Sequence, residues 1–166
     1  MLTTNRLILR PPQPDDVDPC IDFIITDRAK FVGGGTDKTR ADAWRAAAIV
    51  FGHWKIRGWG LLVMELKVTG NPIGSIGPWH PEGWPEKELG WSIWSADHEG
   101  QGYAAEALIR TRQWAFEDLG WDTAVSYIDP ENARSIALAE RVGCTVDPNA
   151  AAPDDDPTII YRHPCP

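Results

Sequence analysis

The sequence predicts an α+β fold in which a mixed, mostly antiparallel sheet is flanked by helices, with the elements in the order β-α-α-β-β-β-α-β-α-β. Three observations lead to this prediction. Two apolar segments in the middle of the chain are separated by Thr69-Gly70-Asn71-Pro72, which is typical of a hairpin. Apolar residues with a helical period occur on both sides of this hairpin, and alternating segments occur near both ends. With 166 residues and no linker-like stretch, the chain is expected to form one domain over residues 1–166.

The first third of the chain predicts one strand and two helices. Arg6 to Arg10 alternates and stops at two prolines, as a strand does. A short helix should begin at Asp15-Asp16, whose charges complement the helix dipole, and should end before the glycines at 33–35. A second helix should begin near Thr36 or Asp37 and end by Gly58. Its predicted apolar stripe comprises Trp44, Ala47, Ala48, Phe51 and Trp54.

The remaining two thirds predict five strands and two helices. The long helix at 103–119 should present one face formed by Ala105, Leu108, Ile109, Arg112 and Phe116. Residues 147–157, rich in Ala, Pro and Asp, are expected to form a solvated loop. The other expected elements are strands at 61–68, 73–77, 88–94, 123–128 and 158–162 and a helix at 132–142.

Composition excludes several classes of function. The net charge of −8 disfavours nucleic acid as a partner. No apolar run reaches the length of a membrane span, and no secretory signal is recognisable, so a cytoplasmic protein without a membrane partner is expected. Three separated cysteines suit neither a disulfide framework nor a zinc cluster, and no metal site is expected. Cys144 is interpreted as a small core residue.

Nine tryptophans are many for this length, and six of them fall between positions 54 and 94. Trp91 and Trp94 belong to an apolar run and are assigned to the core. Trp79 and Trp84 flank the turn-rich segment 80–83, where an indole is more plausibly the wall of a pocket. These two tryptophans and His80 are therefore candidate substrate-binding residues.

The segment Gly100-Gln101-Gly102-Tyr103-Ala104 lies between a predicted strand and a predicted helix. Glycines there allow a tight turn and close approach of the backbone to a ligand. The amides of the first helical turn suit a pyrophosphate, which coenzyme A and dinucleotides both carry. Gly100-x-Gly102-x-x-Ala105 also matches a dinucleotide fingerprint, but the preceding hairpin is not the parallel β-α context that such a fingerprint requires.

Taken together, these segments resemble the GCN5-related N-acetyltransferases, and within them the branch of ribosomal-protein alanine acetyltransferases. The resemblance covers nearly the whole chain and implies a GNAT-like sheet. The matching segments are Thr4-Asn5-Arg6-Leu7-Ile8-Leu9-Arg10, Glu88-Leu89-Gly90-Trp91, the glycine loop with Glu106-Ala107, and 132–143.

The resemblance implies acetyl-CoA as the co-substrate. The amides of Gly100, Gln101, Gly102, Tyr103 and Ala104 would hold its pyrophosphate, and the strand end formed by Ile93, Trp94 and Ser95 would pair with the pantetheine arm and polarise the thioester. Asn132 and Ser135 match an Asn-x-x-Ser motif facing the sulfur, although both are also favoured helix caps. Glu99 belongs to the same expected site. Asp97 and Glu99 place acid where the family has neutral or basic residues, which should weaken binding unless they turn outward.

Two residues are candidates for moving protons. Glu88 begins the strand that resembles the family's Glu-Ile-Gly-Tyr and is the candidate base and acceptor-binding residue. The position of the family's tyrosine acid is Ala139 here, which leaves Ser135 as the candidate acid. The expected reaction is direct acetylation of a primary amine, either a protein N-terminus or a small molecule, in a ternary complex.

The departures at Asp97, Glu99 and Ala139 also suit a second hypothesis, a non-catalytic acyl-CoA sensor or interaction module on the same fold. Such a module would bind coenzyme A without turnover of any amine. A homodimer is common among proteins of this kind, but the sequence does not show an interface.

Overall fold

The alternating segments of the chain assemble into one eight-stranded sheet in the computed structural model, which describes residues 1–166. The strands follow the order β1-β2-β3-β4-β5-β6-β8-β7, and every neighbouring pair is antiparallel except β5 and β6, which are parallel. The predicted mixed, mostly antiparallel sheet is confirmed. The strands are β1 (Leu2–Thr3), β2 (Leu7–Arg10), β3 (Leu62–Leu66), β4 (Pro72–Trp79), β5 (Glu88–Ile93), β6 (Val125–Ile128), β7 (Thr145–Val146) and β8 (Ile159–Arg162).

The helices flank this sheet in the predicted order. Helix α3 packs against the central strands β4 and β5, and α1 packs on α2. The short strands β1 and β7 were not predicted, because two residues carry no readable alternation. The helices are α1 (Val17–Ile24), α2 (Arg40–Arg57), α3 (Tyr103–Glu117) and α4 (Ala133–Arg141), with 3₁₀ turns at Pro14–Asp16, Asp27–Val32 and Ala96–His98. None of them combines the length and the apolar character that a membrane crossing requires.

Helix α2 begins at Arg40, three or four residues later than the predicted start near Thr36 or Asp37. Thr39 caps it: its hydroxyl accepts from the Asp42 amide at 3.1 Å, and the Asp42 carboxylate accepts from the Thr39 amide at 3.1 Å. This reciprocal pair satisfies two helix-end donors and fixes the start at Arg40. Gly58, with φ of 77°, ends the helix in the left-handed conformation, as predicted.

The buried face of α2 differs from the predicted stripe. Ala43 and Ala47 are buried, whereas Trp44 is 58% exposed and Ala48 is also exposed. Apolar residues occur on both sides of this helix, so their period alone does not identify the inward face. The same correction applies to α3, where Ile109 is 52% exposed and the buried positions are Ala107, Leu108, Thr111 and Ala115.

The core lies between the sheet and α3 and extends to α4. It includes Leu7, Leu62, Ile76, Leu89 and Leu108, all at most 1% exposed. Cys144 is buried in the same cluster, as predicted. The core thereby fixes β4 and β5 to α3 and sets the position of the loop that precedes this helix.

Candidate active site

Strands β5 and β6 part from each other after a single point of pairing. Glu88 pairs with Val125, and the Val125 amide donates to the Lys87 carbonyl at 3.0 Å. The next bond comes from a side chain: the Ser126 hydroxyl donates to the Leu89 carbonyl at 2.6 Å. Because parallel strands that stop exchanging backbone hydrogen bonds are free to separate, the sheet opens toward the carboxyl ends of β5 and β6.

The glycine loop lies between β5 and the first turn of α3. Gly100 and Gly102 have φ of 70° and 79°, a region that favours glycine, and Gly102 is the N-cap of α3. The first-turn amides of α3 have no partner within the helix, and together with the helix dipole they form an anion-binding end. The loop predicted as a phosphate cradle therefore has the backbone geometry that this role needs.

Arg6 holds the glycine loop in place. Its backbone amide and its Nε donate to the two oxygens of Glu106 at 2.8 and 2.7 Å, and its Nη1 donates to the Gln101 carbonyl at 2.9 Å. Its guanidinium also lies 4.3 Å from the centre of the Tyr103 ring. Arg6 and Glu106 both belong to segments that carry the resemblance, but no role was predicted for either residue. They are 100 positions apart, so only the fold shows the contact.

Next to the parted strands lies a cavity of about 600 Å³. One wall comes from β4, β5, β6 and α4, and the other from α1, α2 and the 3₁₀ turn at 27–32. Among the candidates, Trp79, Trp84, Glu88, Trp94, Asn132 and Ser135 line it. Trp91 also lines the cavity and packs against the core, as predicted, whereas Trp94 is a half-buried wall residue rather than the core residue predicted.

Glu88 is the carboxylate on the strand wall of this cavity. Its Oε2 accepts a 2.7 Å hydrogen bond from the indole N–H of Trp84. Burial raises the pKa of Glu88 to about 7, and the Trp84 bond opposes this rise because it favours the charged form. A carboxylate that is half ionised near neutral pH is suited to accept a proton from an amine.

Ser135 lies on the same cavity wall in the first turn of α4. Its hydroxyl oxygen accepts from the Trp91 indole at 3.1 Å, which leaves its own hydrogen available to a further acceptor. Asn132 also lines the cavity, but its side-chain oxygen caps α4 by accepting from the Ser135 amide at 3.2 Å. Ala139, at the position of the family's tyrosine, is fully buried and presents nothing to the cavity.

The predicted strand-end groups do not all face the opening. The Trp94 amide already donates to the Ile73 carbonyl of β4 at 2.9 Å. Backbone groups alternate in direction along a strand, so the amide of Ile93, the last residue of β5, points away from β4 and toward the gap. The Trp94 amide is therefore not available to pair with a ligand, whereas the Ile93 amide faces the gap. Ser95 follows the bend at Trp94, and its hydroxyl accepts from the Asp97 amide at 3.3 Å.

Glu99 makes ionic contacts within the protein. One of its oxygens lies 2.7 Å from Nη2 of Arg28, and both lie 2.8 Å from Nη1 of Arg134. The same Arg28 nitrogen donates to the Ile93 carbonyl at 3.1 Å. Asp97 is exposed and forms no ion pair. Two arginines thus offset the charge of Glu99, and Asp97 is exposed to solvent. Neither arginine was predicted to belong to the site.

Two further predictions need correction. His80 does not line the cavity: its backbone amide donates to Nε2 of the buried His53 at 3.1 Å. The segment 147–157 is a largely exposed loop, as predicted, but the prediction did not include the position of Pro153, Asp154, Asp156 and Pro157 on the rim of the cavity. A composition rich in proline and aspartate predicts that a loop is exposed to solvent, but it does not predict which other segments the loop lies next to.

A buried polar chain lies beneath the cavity. His163 contacts the Ser126 hydroxyl through Nε2 at 2.9 Å and the Cys144 sulfur through Nδ1 at 3.3 Å. Since Ser126 gives its hydrogen to Leu89, it accepts from Nε2–H, and Nδ1 accepts from the thiol. Burial lowers the pKa of His163 to about 3 and raises that of Cys144 to about 11, so both are neutral. No group of three or more His, Cys, Asp or Glu is placed to hold a metal ion.

The parted sheet, the glycine loop and the adjoining cavity define the class of acyltransferase domains. The chain belongs to the GNAT acetyltransferase family, because the family model described as "Acetyltransferase (GNAT) domain" matches residues 6–145. The order of the strands and helices and the fold therefore agree with the family that the sequence motifs resemble.

Comparison with individual proteins agrees with this assignment. The chain is 42% identical to an acetyltransferase from Agrobacterium tumefaciens str. C58, whose crystal structure superposes with a TM-score of 0.89 over 98% of this chain and 92% of that one. A GNAT-family acetyltransferase from Bordetella pertussis shares the fold, with 24% identity, a TM-score of 0.79 and 98% coverage of both chains. YkkB, an uncharacterized protein of Bacillus subtilis, is 28% identical over 148 residues, which are 86% of this chain and 83% of YkkB.

Proposed function

We propose that this single-domain protein is a cytoplasmic N-acetyltransferase of the ribosomal-protein alanine acetyltransferase-like branch, which transfers the acetyl group of acetyl-CoA directly to a primary amine. The observation that carries the proposal is the half-buried carboxylate of Glu88 in a cavity beside the parted strands, with the Ser135 hydroxyl on the same wall. The acceptor is a small molecule or a protein N-terminus.

The glycine loop is the part of the chain that fits the co-substrate. The amides at Gly100 to Ala104 would hold the pyrophosphate, supported by the dipole of α3 and by the Arg6 clamp. Asn132, Ile93 and Ser95 would face the pantetheine arm. Arg28 and Arg134 more than offset the charge of Glu99, so the three side chains together carry a net positive charge beside the glycine loop.

Acetyl-CoA supplies an activated acetyl group, so that a C–N bond forms to the amine as the C–S bond breaks. Glu88 takes the proton that the amine must lose, and this demand is small for an α-amine, about 1 kcal/mol at pH 7, but nearer 5 kcal/mol for a lysine. The Ser135 hydroxyl relays a proton to the departing sulfur and regains one from cavity water that receives the amine proton from Glu88; its oxygen is held by Trp91 while its hydrogen is free. The backbone amides of Ile93 and Ser95 stabilise the negative charge that develops on the carbonyl oxygen.

The first test is calorimetric titration with acetyl-CoA, using Gly100→Glu as the disrupting variant and Gly70→Glu as its matched control. Gly100 and Gly70 have φ of 70° and 73°, and a Cβ at either position meets nothing within 4 Å. The two substitutions therefore introduce the same charge and similar backbone strain, one in the glycine loop and one in the β3–β4 turn. Circular dichroism establishes that both variants fold.

Binding by the wild type and Gly70→Glu but not by Gly100→Glu supports the co-substrate site. Equal binding by all three, or no binding by the wild type, contradicts it. A screen of primary amines for release of free coenzyme A then separates the enzyme from the acyl-CoA sensor, which would bind the ligand but show no turnover.

A further inference from the structure

The cavity has two walls of different chemistry. The strand wall carries Glu88 and Ser135, the two groups proposed to move protons. The opposite wall, from α1, α2 and the 3₁₀ turn, is apolar except for Lys30 and consists otherwise of Cys20, Phe23, Ile24, Phe31, Val32, Gly33, Ala46, Ile49 and Val50. A ligand whose nitrogen reaches Glu88 therefore has an apolar surface available on its other side.

Seven aromatic side chains line the cavity. Phe23 and Phe31 come from the helical wall, and the strand side adds Trp79, Trp84, Trp91, Trp94 and Tyr127. Several of these rings are fixed by their neighbours, since Trp79 stacks on His53 with centroids 4.6 Å apart and Trp84 meets Tyr127 edge-on at 6.3 Å. Preformed aromatic walls bind an apolar or aromatic body at a small cost in side-chain ordering.

The charges of the lining are unfavourable for a carboxylate. Asp129, Asp154 and Asp156 line the cavity together with Glu88. Lys30 is the one basic lining residue, and its ammonium lies over the Phe31 ring at 4.9 Å and 4.0 Å from Asp27. An acceptor carboxylate would thus meet four acids and one cation, which is half exposed and has a fifth acid, Asp27, close to it.

We propose that the acceptor is a primary amine with an apolar, ring-sized body and no carboxylate, an arylalkylamine or the amide of an apolar amino acid. This inference rests on the proposed function, because it assigns the nitrogen to Glu88, and it names the class of substrate for that site. The body of the acceptor lies against Phe31 and Ile49, and the acidic rim excludes free amino acids.

The test measures acceptor binding without turnover, by calorimetry on the protein saturated with coenzyme A. The probes are 2-phenylethylamine, ethylamine, phenylalanine and spermidine. We expect 2-phenylethylamine to bind roughly 10- to 100-fold more tightly than ethylamine, because burying the ring adds the apolar contribution. Phenylalanine differs from 2-phenylethylamine only by an added carboxylate. It should bind at least tenfold more weakly than 2-phenylethylamine. Spermidine should also bind more weakly, since it lacks a ring and would have to bury an additional ammonium group against the apolar helical wall, a cost that exceeds its attraction to the acidic rim.

Substitutions of the lining residues test where the ring of 2-phenylethylamine binds in the cavity. Phe31→Ala should weaken 2-phenylethylamine roughly tenfold and leave ethylamine unchanged. Ile49→Ala should act in the same direction with less risk to folding, because Ile49 is 58% exposed on a helix and alanine favours helices. The matched control is Trp44→Ala, an equally exposed apolar side chain of α2 that does not line the cavity and should change neither amine.

The inference is overturned if ethylamine or spermidine binds as tightly as 2-phenylethylamine, if phenylalanine binds equally well, if no amine binds, or if Phe31→Ala and Ile49→Ala weaken both amines alike. A parallel assay with acetyl-CoA separates the two proposals. Tight binding of 2-phenylethylamine without acetylation would contradict the proposed enzyme but support the proposed acceptor class. Acetylation of other amines only would support the enzyme and contradict the acceptor class.

Discussion

The indole N–H of Trp84 donates a 2.7 Å hydrogen bond to Oε2 of Glu88. Two opposing influences therefore act on this carboxyl group: burial raises its pKa and the hydrogen bond lowers it. Burial dominates, so the pKa lies at about 7. At neutral pH this carboxyl group is therefore near half ionisation. Its pKa is suited to a base that accepts a proton at that pH.

Replacing Glu88 by Gln should lower kcat/KM for the amine by about 10²- to 10³-fold, since a positioned base contributes 10²- to 10⁴-fold. For the wild type, kcat/KM measured at saturating acetyl-CoA should rise with pH through a midpoint near 7, because only the ionised carboxylate accepts a proton. The variant should lack this rise. Glu86→Gln is the matched control, since Glu86 is two positions away but pairs with Arg162 at 2.6 Å. Equal losses in the two variants would rule out a base role for Glu88.

Replacing Trp84 by Phe should move the rising limb of the pH profile upward by about one unit. The indole N–H stabilises the charged form of Glu88, so its loss raises the pKa further and leaves less carboxylate at pH 7. Activity should recover at higher pH. Trp94→Phe is the control, because it removes another indole N–H from the same cavity, one that donates to Ser92 at 3.2 Å. An upward shift in both variants, or in neither, would contradict the assignment.

Glu99→Gln should tighten acetyl-CoA binding by roughly three- to tenfold at low ionic strength, and the gain should shrink as salt is added. The change releases Arg28 and Arg134 from an internal partner next to the glycine loop, so both become available to phosphate. Asp97→Asn removes the same charge from an exposed side chain without an ion pair and should alter the dissociation constant less than twofold. Weaker binding by Glu99→Gln, measured by calorimetry, would show instead that this carboxylate positions the two arginines for the ligand.

Most elements of the fold follow from local patterns. The hairpin around Gly70, the glycine stops at Gly58 and Gly143 and the helix after Gly102 all depend on residues close in sequence, and each was predicted within a few positions. The inward faces of α2 and α3 were not predicted correctly. Trp44 and Ile109 satisfy the helical period, yet they point outward, because the packing partner rather than the period selects the face.

The site was predictable where a motif carries it and not where distant segments meet. The glycine loop, Glu88 and Ser135 were identified from the sequence, and the fold places Glu88 and Ser135 on one cavity. The Arg6–Glu106 clamp, the Arg28–Glu99–Arg134 cluster and the rim at Asp154 and Asp156 join segments far apart in the chain. Single-sequence patterns carry no signal for such pairings, so the prediction of a solvated loop at 147–157 did not include its place on the rim of the cavity.

His163 should make the protein sensitive to acid. Its pKa is about 3 in the folded protein and about 6.5 when unfolded, because burial disfavours the charged form. As the pH falls below 6.5, the unfolded chain binds a proton that the folded protein does not, so stability is lost between about pH 6.5 and pH 3. By this relation the loss between pH 8 and pH 5 is about 2 kcal/mol.

His163→Gln should therefore be less stable than the wild type at pH 8, since it disturbs the contacts with Ser126 and Cys144, but should lose about 2 kcal/mol less on going to pH 5. Urea unfolding at the two pH values measures both quantities. His98→Gln, in the loop before α3 and without a hydrogen bond to its ring, should keep the wild-type dependence. Because His53 is also buried and its pKa is lowered, some acid sensitivity should remain in the His163 variant. An unchanged difference between pH 8 and pH 5 in His163→Gln would mean that protonation of the Ser126–His163–Cys144 chain does not limit stability in acid.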